Sequence, residues 1–287
     1  MLTGILAQVL NGVQYGLLLF LISSGLTLIF GVMGVINLAH GSLFMIGAYL
    51  AFAVASMTGY FWLSLPAAVL GGLVFGAILE RTLFRRFRTR PHLDQVLLTF
   101  ALILLFEEAR SVLLGNAFHS VPIPAALDFS VPVIGGFGYS AYRLVVLAIC
   151  VATAAAMVWL IERTRVGSAI RAAAENTEML DLLGLDASRI HTMVFAAGTA
   201  LAMLAGALAA PLQSVYPGMG DGFLILSFIV VVIGGLGSIA GAFWAALLVG
   251  LIDTLGKAYL PQAAGIAVCA MMAAVLMWRP TGLFGRG

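Results

Sequence analysis

The sequence predicts an all-α, polytopic transmembrane helix bundle with about eight to nine spans, of which one or two are short or broken. Of the 287 residues, 62% are hydrophobic and only 9% are charged, and the mean hydropathy is +1.12. A soluble domain carries about 25% charged residues, so this chain could not cover a water-facing surface with polar groups. Several apolar runs also approach or exceed the roughly 18 residues that mark a membrane-spanning helix.

Nine apolar segments follow one another along the chain. They run over about 5–31, 41–57, 62–80, 95–114, 143–161, 192–212, 223–235, 240–256 and 264–278. The first is longer than one crossing needs, so we expect it to be tilted, broken or partly interfacial. The seventh is too short to cross at 1.5 Å per residue, which predicts a half-helix or a re-entrant piece. G-x-x-x-G spacings within the spans predict close helix packing.

The distribution of arginine predicts which ends of the spans face the cytoplasm. Eleven of the fourteen basic residues lie in three places, 81–90, 163–189 and 279–286. The positive-inside rule makes these three places cytoplasmic and puts 115–142, which contains no Lys or Arg, outside as an irregular loop. Counting crossings then places the N-terminus outside and the C-terminus in the cytoplasm. The first segment lacks a basic n-region and a cleavage site, so we interpret it as a span and not as a signal peptide.

The segment at about 163–191 is the longest stretch with the composition of a soluble protein. Small and apolar residues recur at helical spacing from Ile170 to Thr177, and polar residues occupy the opposite face. Gly184 and Asp186 fall where one helix would end and the next would be capped. Such a helix either rests on lipid headgroups or docks a cytoplasmic partner, and the residues alone leave both alternatives open.

Glycines and polar side chains interrupt the apolar sequence at two places, "GVINLAHGSLFMIG" (34–47) and "GGLGSIAGAFWAALLVG" (234–250). Paired glycine-interrupted segments in a transporter point to the substrate path, because freed backbone groups at membrane depth need protein or water beside them. We therefore predict that both places line a translocation pathway. The candidates are Asn37, His40, Gly41, Ser42, Gly235, Gly237 and Ser238. The polar side chains either hydrogen-bond within the pathway or satisfy the freed backbone.

Acidic residues inside the apolar segments are further candidates. Glu107 and Glu108 lie in the outer half of the fourth segment, where a charge is costly and faces a polar interior or a partner. Arg110 follows Glu107 at i+3 on the same helix face, so an ion pair near the outer interface is one interpretation. A pathway group that meets a substrate ammonium is the other, and it keeps both glutamates among the pathway candidates. Asp253 and Lys257, at i and i+4, predict a second self-paired arrangement.

No reactive constellation is recognisable in the sequence. The stretch closest to a P-loop, "GLIDTLGKA", has one residue too many between its glycines and an alanine in place of the required Ser or Thr. The four histidines are scattered and have none of the spacings of a metal site. We therefore expect no catalysis, no metal and no cofactor. The net charge of +2 reflects arginines at loops and gives no reason to expect a nucleic-acid partner.

Four passages together resemble one protein family. They are "GVINLAHGSLFMIGAY", "AAAENTEMLDLLGLD", "VVIGGLGSIAGAFWAALLVG" and "RPTGLFGR". They are similar to the permease subunits of branched-chain amino-acid ABC importers, and the resemblance covers essentially the full length. The match is closer to the first of the two permeases in such systems than to the second, which usually has a longer N-terminus. The resemblance implies a single transmembrane permease domain over 1–287, located in the bacterial plasma (inner) membrane, with a cytoplasmic coupling segment at about 163–191.

The resemblance also implies partners. These are a second permease subunit, expected to be a different chain, two cytoplasmic ATP-binding subunits, an extracytoplasmic solute-binding protein and the lipid bilayer. In the family, the loop around 170–186 looks like the element that inserts into a groove of the ATP-binding subunit. The candidate coupling residues are Arg171, Ala173, Ala174, Glu175, Leu183, Gly184 and Asp186. Small residues allow close contact between helix and groove, and Gly184 permits a sharp exit.

The function implied is translocation of branched-chain or other hydrophobic amino acids, driven by separate ATPase subunits. Importers of urea, amides and aromatic acids share this permease family, so the same type of permease for those solutes is an alternative. A stand-alone secondary transporter or channel is the alternative from another class. Such a protein would need an unpaired ion-binding acid at mid-membrane, whereas the acids of this chain lie near span ends beside basic residues.

Overall fold

A computed structural model describes residues 2–88, 90–133, 137–176, 180 and 184–285, and it shows a bundle of α-helices. The helices are α1 (Leu2–Met33), α2 (His40–Thr58), α3 (Ser64–Leu79), α4 (His92–Leu114), α5 (Ala141–Arg163), α6 (Arg165–Glu175), α7 (Ala187–Ala209), α8 (Met219–Gly234), α9 (Ile239–Tyr259) and α10 (Ala264–Trp278). A 3-10 turn, Phe61–Leu63, precedes α3, and another covers Ala125–Leu127. Helix α3 continues through a π-helical turn, Glu80–Phe84, into a last α-helical turn, Arg85–Phe87.

The predicted all-α polytopic bundle is confirmed, and each of the nine predicted apolar segments coincides with a helix. Among the described residues, six helices are long and apolar enough to cross a membrane, namely α1, α2, α3 with its extension, α5, α7 and α9. Helices α8 and α10 have 16 and 15 residues, which corresponds to about 24 and 22 Å at 1.5 Å per residue. Helix α1 is continuous over 32 residues, so of the three alternatives for the first segment a break is excluded.

The loop between α4 and α5 is more regular than predicted. Two short strands, β1 (Ser130–Val133) and β2 (Phe137–Ser140), pair antiparallel within it, with Val131 opposite Tyr139. The sheet accommodates Pro132 because both strands are edge strands. Proline has no N–H, but on the open side of an edge strand no ladder hydrogen bond is lost. A second link, the bridge between His119 and Val215, ties the loop to the segment before α8. The expectation of a wholly irregular loop is therefore wrong over these residues.

The bundle has two chemically different ends. At one end, Arg88 and Thr192 meet around Glu80, Ile170 of α6 packs with Leu28 of α1 and Ile190 of α7, and Gly237 contacts Gly31. The backbone N–H of Leu283 donates to Ile233 at this end too (2.8 Å), so all three arginine-rich segments are gathered there. We call it the arginine end. The opposite end carries β1 and β2, and we call it the hairpin end.

Helices α1 and α7 occupy the middle of the bundle, and small residues set their distance from their neighbours. In each, 83% of the most apolar stretch is buried by other parts of the chain. A methyl group built on Gly16 of α1 would lie 2.7 Å from the carbonyl oxygen of Ala246 in α9. On Gly206 of α7 it would overlap the carbonyl oxygen of Phe44 in α2. In lipid, such close backbone approach supplies the packing that holds helices together.

One carboxylate is fully buried near the arginine end. The side chain of Glu80 has 0% exposure, and its Oε1 lies 2.8 Å from Nη2 of Arg88, whose side chain is 26% exposed. Thr192 of α7 donates its hydroxyl to Oε2 of the same carboxylate (2.6 Å). A buried charge is tolerated only when it is paired and hydrogen-bonded, and here both partners come from different elements. Glu80 therefore ties the end of α3 to the start of α7.

The first prediction concerns the contact between α2 and α7. Gly206→Ala is expected to lower the free energy of unfolding by about 1–3 kcal/mol, because its methyl group has no room beside Phe44 and the helices must separate. The measurement is thermal unfolding of the detergent-purified protein. Gly265→Ala in α10 is the matched control, since a methyl group there meets nothing within 4 Å. Equal melting temperatures for the two variants would contradict the packing described.

The second prediction concerns the asymmetry of the buried ion pair. Arg88→Met leaves the Glu80 carboxylate buried without its cation and is expected to cost about 3–5 kcal/mol of stability. Glu80→Met is expected to cost less, because the partly exposed Arg88 can turn toward solvent. The double variant should unfold later than Arg88→Met alone. Unfolding curves of the three variants in one detergent test this order, and a double variant as unstable as the sum of both would refute it.

Candidate functional site

A cavity of about 570 Å³ opens between α1, α8 and α9 toward the hairpin end. Its polar wall is made by side chains that converge from α1, α5 and α9. They are Gln8, Asn11, Gln14, Arg143, Asp253, Thr254 and Lys257. Its deeper wall is apolar and includes Leu18, Met219, Phe223 and Leu226. A concave site with an apolar floor and a few convergent polar groups is the usual form of a small-molecule site.

Arg143, in the first turn of α5, is held in the cavity wall by amides of α1. Its Nη1 donates to Oδ1 of Asn11 (3.1 Å) and to Oε1 of Gln14 (3.2 Å). Among the described residues Arg143 forms no ion pair. The amide oxygens orient the guanidinium without neutralising it, so the wall presents a positive charge to the cavity.

Asp253 and Lys257 form the predicted ion pair on α9, with Nζ 2.7 Å from Oδ2. The carboxylate is 6% exposed and the lysine side chain is 61% exposed, so the acid is fixed in the wall while the base reaches into open space. Nζ also lies 5.7 Å from the ring centroid of Tyr15, a cation–π distance. The place beside Asp253 and Tyr15 therefore accommodates an ammonium group.

The connection between α1 and α2 returns into the bundle. His40, the first residue of α2, donates from Nε2 to the backbone carbonyl oxygen of Ile22 (3.0 Å). Ile22 lies 11 residues before Met33, where α1 ends, which is about 16 Å along the helix. Helix α2 therefore begins about half-way through a hydrocarbon core of roughly 30 Å. Gly34, at φ +65°, makes the reversal possible because only glycine adopts that backbone conformation at little cost.

The polar side chains of this connection are buried. Asn37, His40 and Ser42 are 1%, 0% and 4% exposed, so other parts of the chain shield them from solvent. Asn37 accepts at Oδ1 from the backbone N–H of Ala39 (3.1 Å). The hydrogen bonds of Asn37 and His40 thus go to backbone groups. Gly41 lies against the backbone of Gly220 in α8, which therefore begins at the same depth as α2.

The second glycine loop lies at the arginine end. Gly235 (φ +99°) and Gly237 (φ +81°) reverse the chain between α8 and α9, and Ser238 caps α9 by accepting from the N–H of Gly241 (3.1 Å). The C-terminal segment covers this loop, with the N–H of Phe284 donating to Gly234 (3.1 Å). The two predicted glycine loops therefore lie at different depths, and a pathway role for their residues stays a prediction.

Glu107 joins α4 to the start of α8 in the outer half of the bundle. Its Oε2 accepts from Arg110 (3.2 Å), which forms the predicted i, i+3 ion pair. Its Oε1 accepts from the backbone N–H of Gly218 (3.1 Å), directly before α8. Glu108 points to the outside of the bundle and is exposed. Neither glutamate lines the cavity around Arg143.

The coupling candidates gather at the arginine end on and after α6. Thr164 caps α6 by accepting from the N–H of Gly167 (3.0 Å), and Ala173 is buried against the ends of α1 and α7. Arg171, whose Nη1 donates to the carbonyl of Ile161, is exposed, as are Ala174 and Glu175. Gly184 has φ +76°. Asp186 caps α7 and pairs with Arg189 (2.9 Å). Leu183 and Thr177 lie outside the described residues.

Sequence reasoning missed the side chains of α1 and α5 in the polar wall of the cavity. Gln8, Asn11 and Gln14 recur every third residue within the apolar first span, which places them along one face of α1. That spacing was a readable signal for a polar face at membrane depth. Arg143 carried a weaker one, as the only Lys or Arg between 115 and 162. The contact of Glu80 with Thr192 had no sequence signal, because the two lie 112 positions apart in the chain.

Comparisons with known proteins identify a family of transport permeases over nearly the whole chain. A family model described as "Branched-chain amino acid transport system / permease component" matches residues 8–277. The chain is 30% identical over 294 residues to the high-affinity branched-chain amino acid transport system permease protein BraD of Pseudomonas aeruginosa, covering 98% of this chain and 96% of BraD. No solved structure matches.

Two permeases named LivH extend the comparison. The high-affinity branched-chain amino acid transport system permease protein LivH of Escherichia coli is 31% identical over 298 residues, covering 98% of this chain and 96% of LivH. The probable branched-chain amino acid transport permease protein LivH of Methanocaldococcus jannaschii is 29% identical over 296 residues, covering 97% of this chain and 92% of the relative. The chain therefore belongs to the family of branched-chain amino acid transport permeases.

Proposed function

We propose that this chain is the membrane-spanning permease subunit of an ABC importer that carries branched-chain or other hydrophobic amino acids across the bacterial plasma membrane. The family, and the solutes for which BraD and LivH are named, support the solute class. The chain acts as one permease domain over 1–287. It contributes the passage, and since its sequence holds no P-loop, separate subunits hydrolyse the ATP.

The arginine end faces the cytoplasm and the hairpin end faces outward. The positive-inside rule supports this orientation, because the three arginine-rich segments meet at one end of the bundle. The N-terminus is then outside and the C-terminus inside. The cavity around Arg143 opens to the outside, where a solute would arrive.

Helix α6 carries the proposal that an ATPase drives this permease. Its buried edge, Ile170 and Ala173, packs on the ends of α1, α5 and α7, while Arg171, Ala174 and Glu175 face away from the bundle. An amphipathic helix fixed to three spans at the cytoplasmic end, with an exposed polar face, transmits a push from a docked subunit to those spans as a rigid body. The exposed acid disfavours the alternative role of resting on anionic headgroups.

The proposed assembly has four kinds of protein. Two cytoplasmic ATP-binding subunits dock on the permeases, one of them on α6 of this chain. A second permease, a different chain of the same family, completes the passage. An extracytoplasmic solute-binding protein delivers the amino acid to the hairpin end. The support for these partners is family membership, together with the exposed face of α6.

The solute passes the level where α2 and α8 begin. At that depth Nδ2 of Asn37 and Nδ1 of His40 are buried, and among the described residues they have no hydrogen-bond partner. Buried polar atoms without a partner are rare and call for an explanation. We explain them as groups that bind water or a solute when the helices move. Gly235, Gly237 and Ser238 then belong to the cytoplasmic exit, and Glu107 holds α8 in place from the outer side.

The third prediction tests the coupling role of the segment after α6. Gly184→Val is expected to abolish ATP-driven leucine uptake by the reconstituted complex, because a β-branched residue at φ +76° costs about 1–2 kcal/mol and redirects the docked loop. Gly184→Asn should retain uptake, since asparagine tolerates this conformation. Uptake and ATP hydrolysis are measured together in proteoliposomes. The complex should still assemble and hydrolyse ATP without transport.

A matched control is available at the other end of the molecule. Gly59 also has a positive φ (+73°), and a methyl group placed on it would meet no atom within 4 Å, but it lies at the hairpin end. Gly59→Val should therefore leave uptake nearly unchanged. Equal uptake by Gly184→Val and Gly59→Val would refute the coupling role. Leucine uptake by this chain alone, without ATP or partners, would refute the ABC importer and favour a stand-alone transporter.

A further inference from the structure

We infer that the cavity at the hairpin end is a binding site for a zwitterionic α-amino acid, whose carboxylate pairs with Arg143 and whose ammonium takes the place of the Lys257 ammonium at Asp253. The inference rests on the proposed function for the direction in which the solute travels. The contacts of Arg143 and Asp253 in the cavity wall support the site itself. In this inference, side chains of the permease recognise the amino acid, in addition to any recognition by a solute-binding protein.

The carboxylate position follows from the charge of Arg143. Its Nη1 is held by the oxygens of Asn11 and Gln14, and no carboxylate of the described residues pairs with it. Both amides sit on α1, with Gln14 only 2% exposed, so the orientation of the guanidinium is fixed by the bundle. A pre-oriented guanidinium without a counter-ion, facing a cavity, is matched by a ligand carboxylate, which it binds through two parallel hydrogen bonds.

The ammonium position is already occupied by a group of the same chemistry. Lys257, the only lysine of the chain, places Nζ 2.7 Å from Oδ2 of Asp253 and 5.7 Å from the ring centroid of Tyr15. Asp253 is held in the wall at 6% side-chain exposure, whereas the lysine side chain is 61% exposed. An incoming ammonium can therefore displace the lysine, which swings into water at little cost.

The remaining cavity surface suits an apolar side chain. Leu18, Phe223 and Leu226 form an apolar part of the lining, and Phe223 packs on Phe44, with ring centroids 4.1 Å apart. A solute with a carboxylate, an ammonium and a branched aliphatic group uses all three regions. Urea and simple amides offer neither charge, and aromatic acids offer no ammonium, so the geometry favours amino acids over the other solutes of the family.

The charges of the wall also predict a role for Lys257. Without solute, the lysine neutralises Asp253 and keeps the acid side of the site closed. With solute, the ligand ammonium neutralises Asp253 and the ligand carboxylate neutralises Arg143. Lys257 thus competes with the amino acid for one carboxylate, and removing its charge should strengthen binding.

The fourth prediction tests this site by ligand binding to the whole importer complex in nanodiscs, without the solute-binding protein. Saturation-transfer-difference NMR compares leucine, 3-methylbutylamine, which lacks the carboxylate, and 4-methylpentanoate, which lacks the ammonium. The wild-type complex should bind leucine better than either analogue. Arg143→Gln should weaken leucine and 4-methylpentanoate by about tenfold or more but leave the amine unchanged, because only the first two carry a carboxylate.

The variants on α9 should have the complementary signature. Asp253→Asn should weaken leucine and the amine but not 4-methylpentanoate. Lys257→Met should strengthen leucine and the amine several-fold. Asp128→Asn is the control, an exposed acid of the hairpin end that does not line the cavity. Leucine binding by Arg143→Gln and Asp253→Asn within twofold of the wild type would overturn the inference.

A substitute variant, a lipid competition and an uptake assay complete the test. If Arg143→Gln fails to assemble with its partners, Arg143→Lys and the ranking of the three ligands on the wild type replace it, and equal binding of all three overturns the inference. Leucine binding that falls as phosphatidylglycerol is added to the nanodisc would also overturn it, because the cavity would then hold a lipid phosphate. ATP-driven leucine uptake by the wild-type complex tests the proposed function separately. ATP-driven uptake without these changes in ligand binding would support the importer function and refute the binding site.

Discussion

The close approach of helix backbones at glycine and alanine is the constraint on which the rest of this structure depends. Lipid tails are as apolar as leucine side chains, so burial alone does not bring helices together in a membrane. Helix α1 touches α9 at Gly12 and Gly16, and α7 touches α2 and α3 through Gly47, Gly72 and Gly206. These contacts surround α1 and α7 with protein.

The central position of α1 explains why it can carry polar residues. Gln14 and Asn11 face Arg143 and the cavity instead of lipid. The helices that begin at mid-depth, α2 and α8, leave the space above the start of α8 empty of helix, and the cavity occupies it. Glu107 fixes that start by accepting from the N–H of Gly218. The outer site, the mid-depth connection and the coupling helix lie at three hydrophobic clusters, to each of which α1 and α7 contribute residues.

Composition and charge predict the nine apolar segments and the end at which the arginines gather. Placing a charge or an unpaired backbone group in lipid costs free energy, and each residue sets that cost locally, so the sequence contains the information. Two ion pairs, at Glu107 and at Asp253, could also be predicted, because both partners lie within one helical turn. The depth of His40 in the membrane could not be predicted. No local sequence feature distinguishes a turn at the membrane surface from one that returns about 16 Å along α1.

By itself, the sequence determined the helical bundle, the number and order of its apolar segments and the amphipathic helix that became α6, since each depends on local hydrophobicity and charge. Only the tertiary structure decided that Asn11, Gln14, Arg143, Asp253 and Tyr15 share one cavity. It also decided that Glu80 meets Thr192 from the other half of the chain. The cavity groups come from three helices far apart in sequence, and Glu80 and Thr192 lie 112 positions apart. Packing between helices brings them together, including the glycine contacts of α1 with α9 and of α3 with α7. The spacing of residues along any one helix does not contain that information.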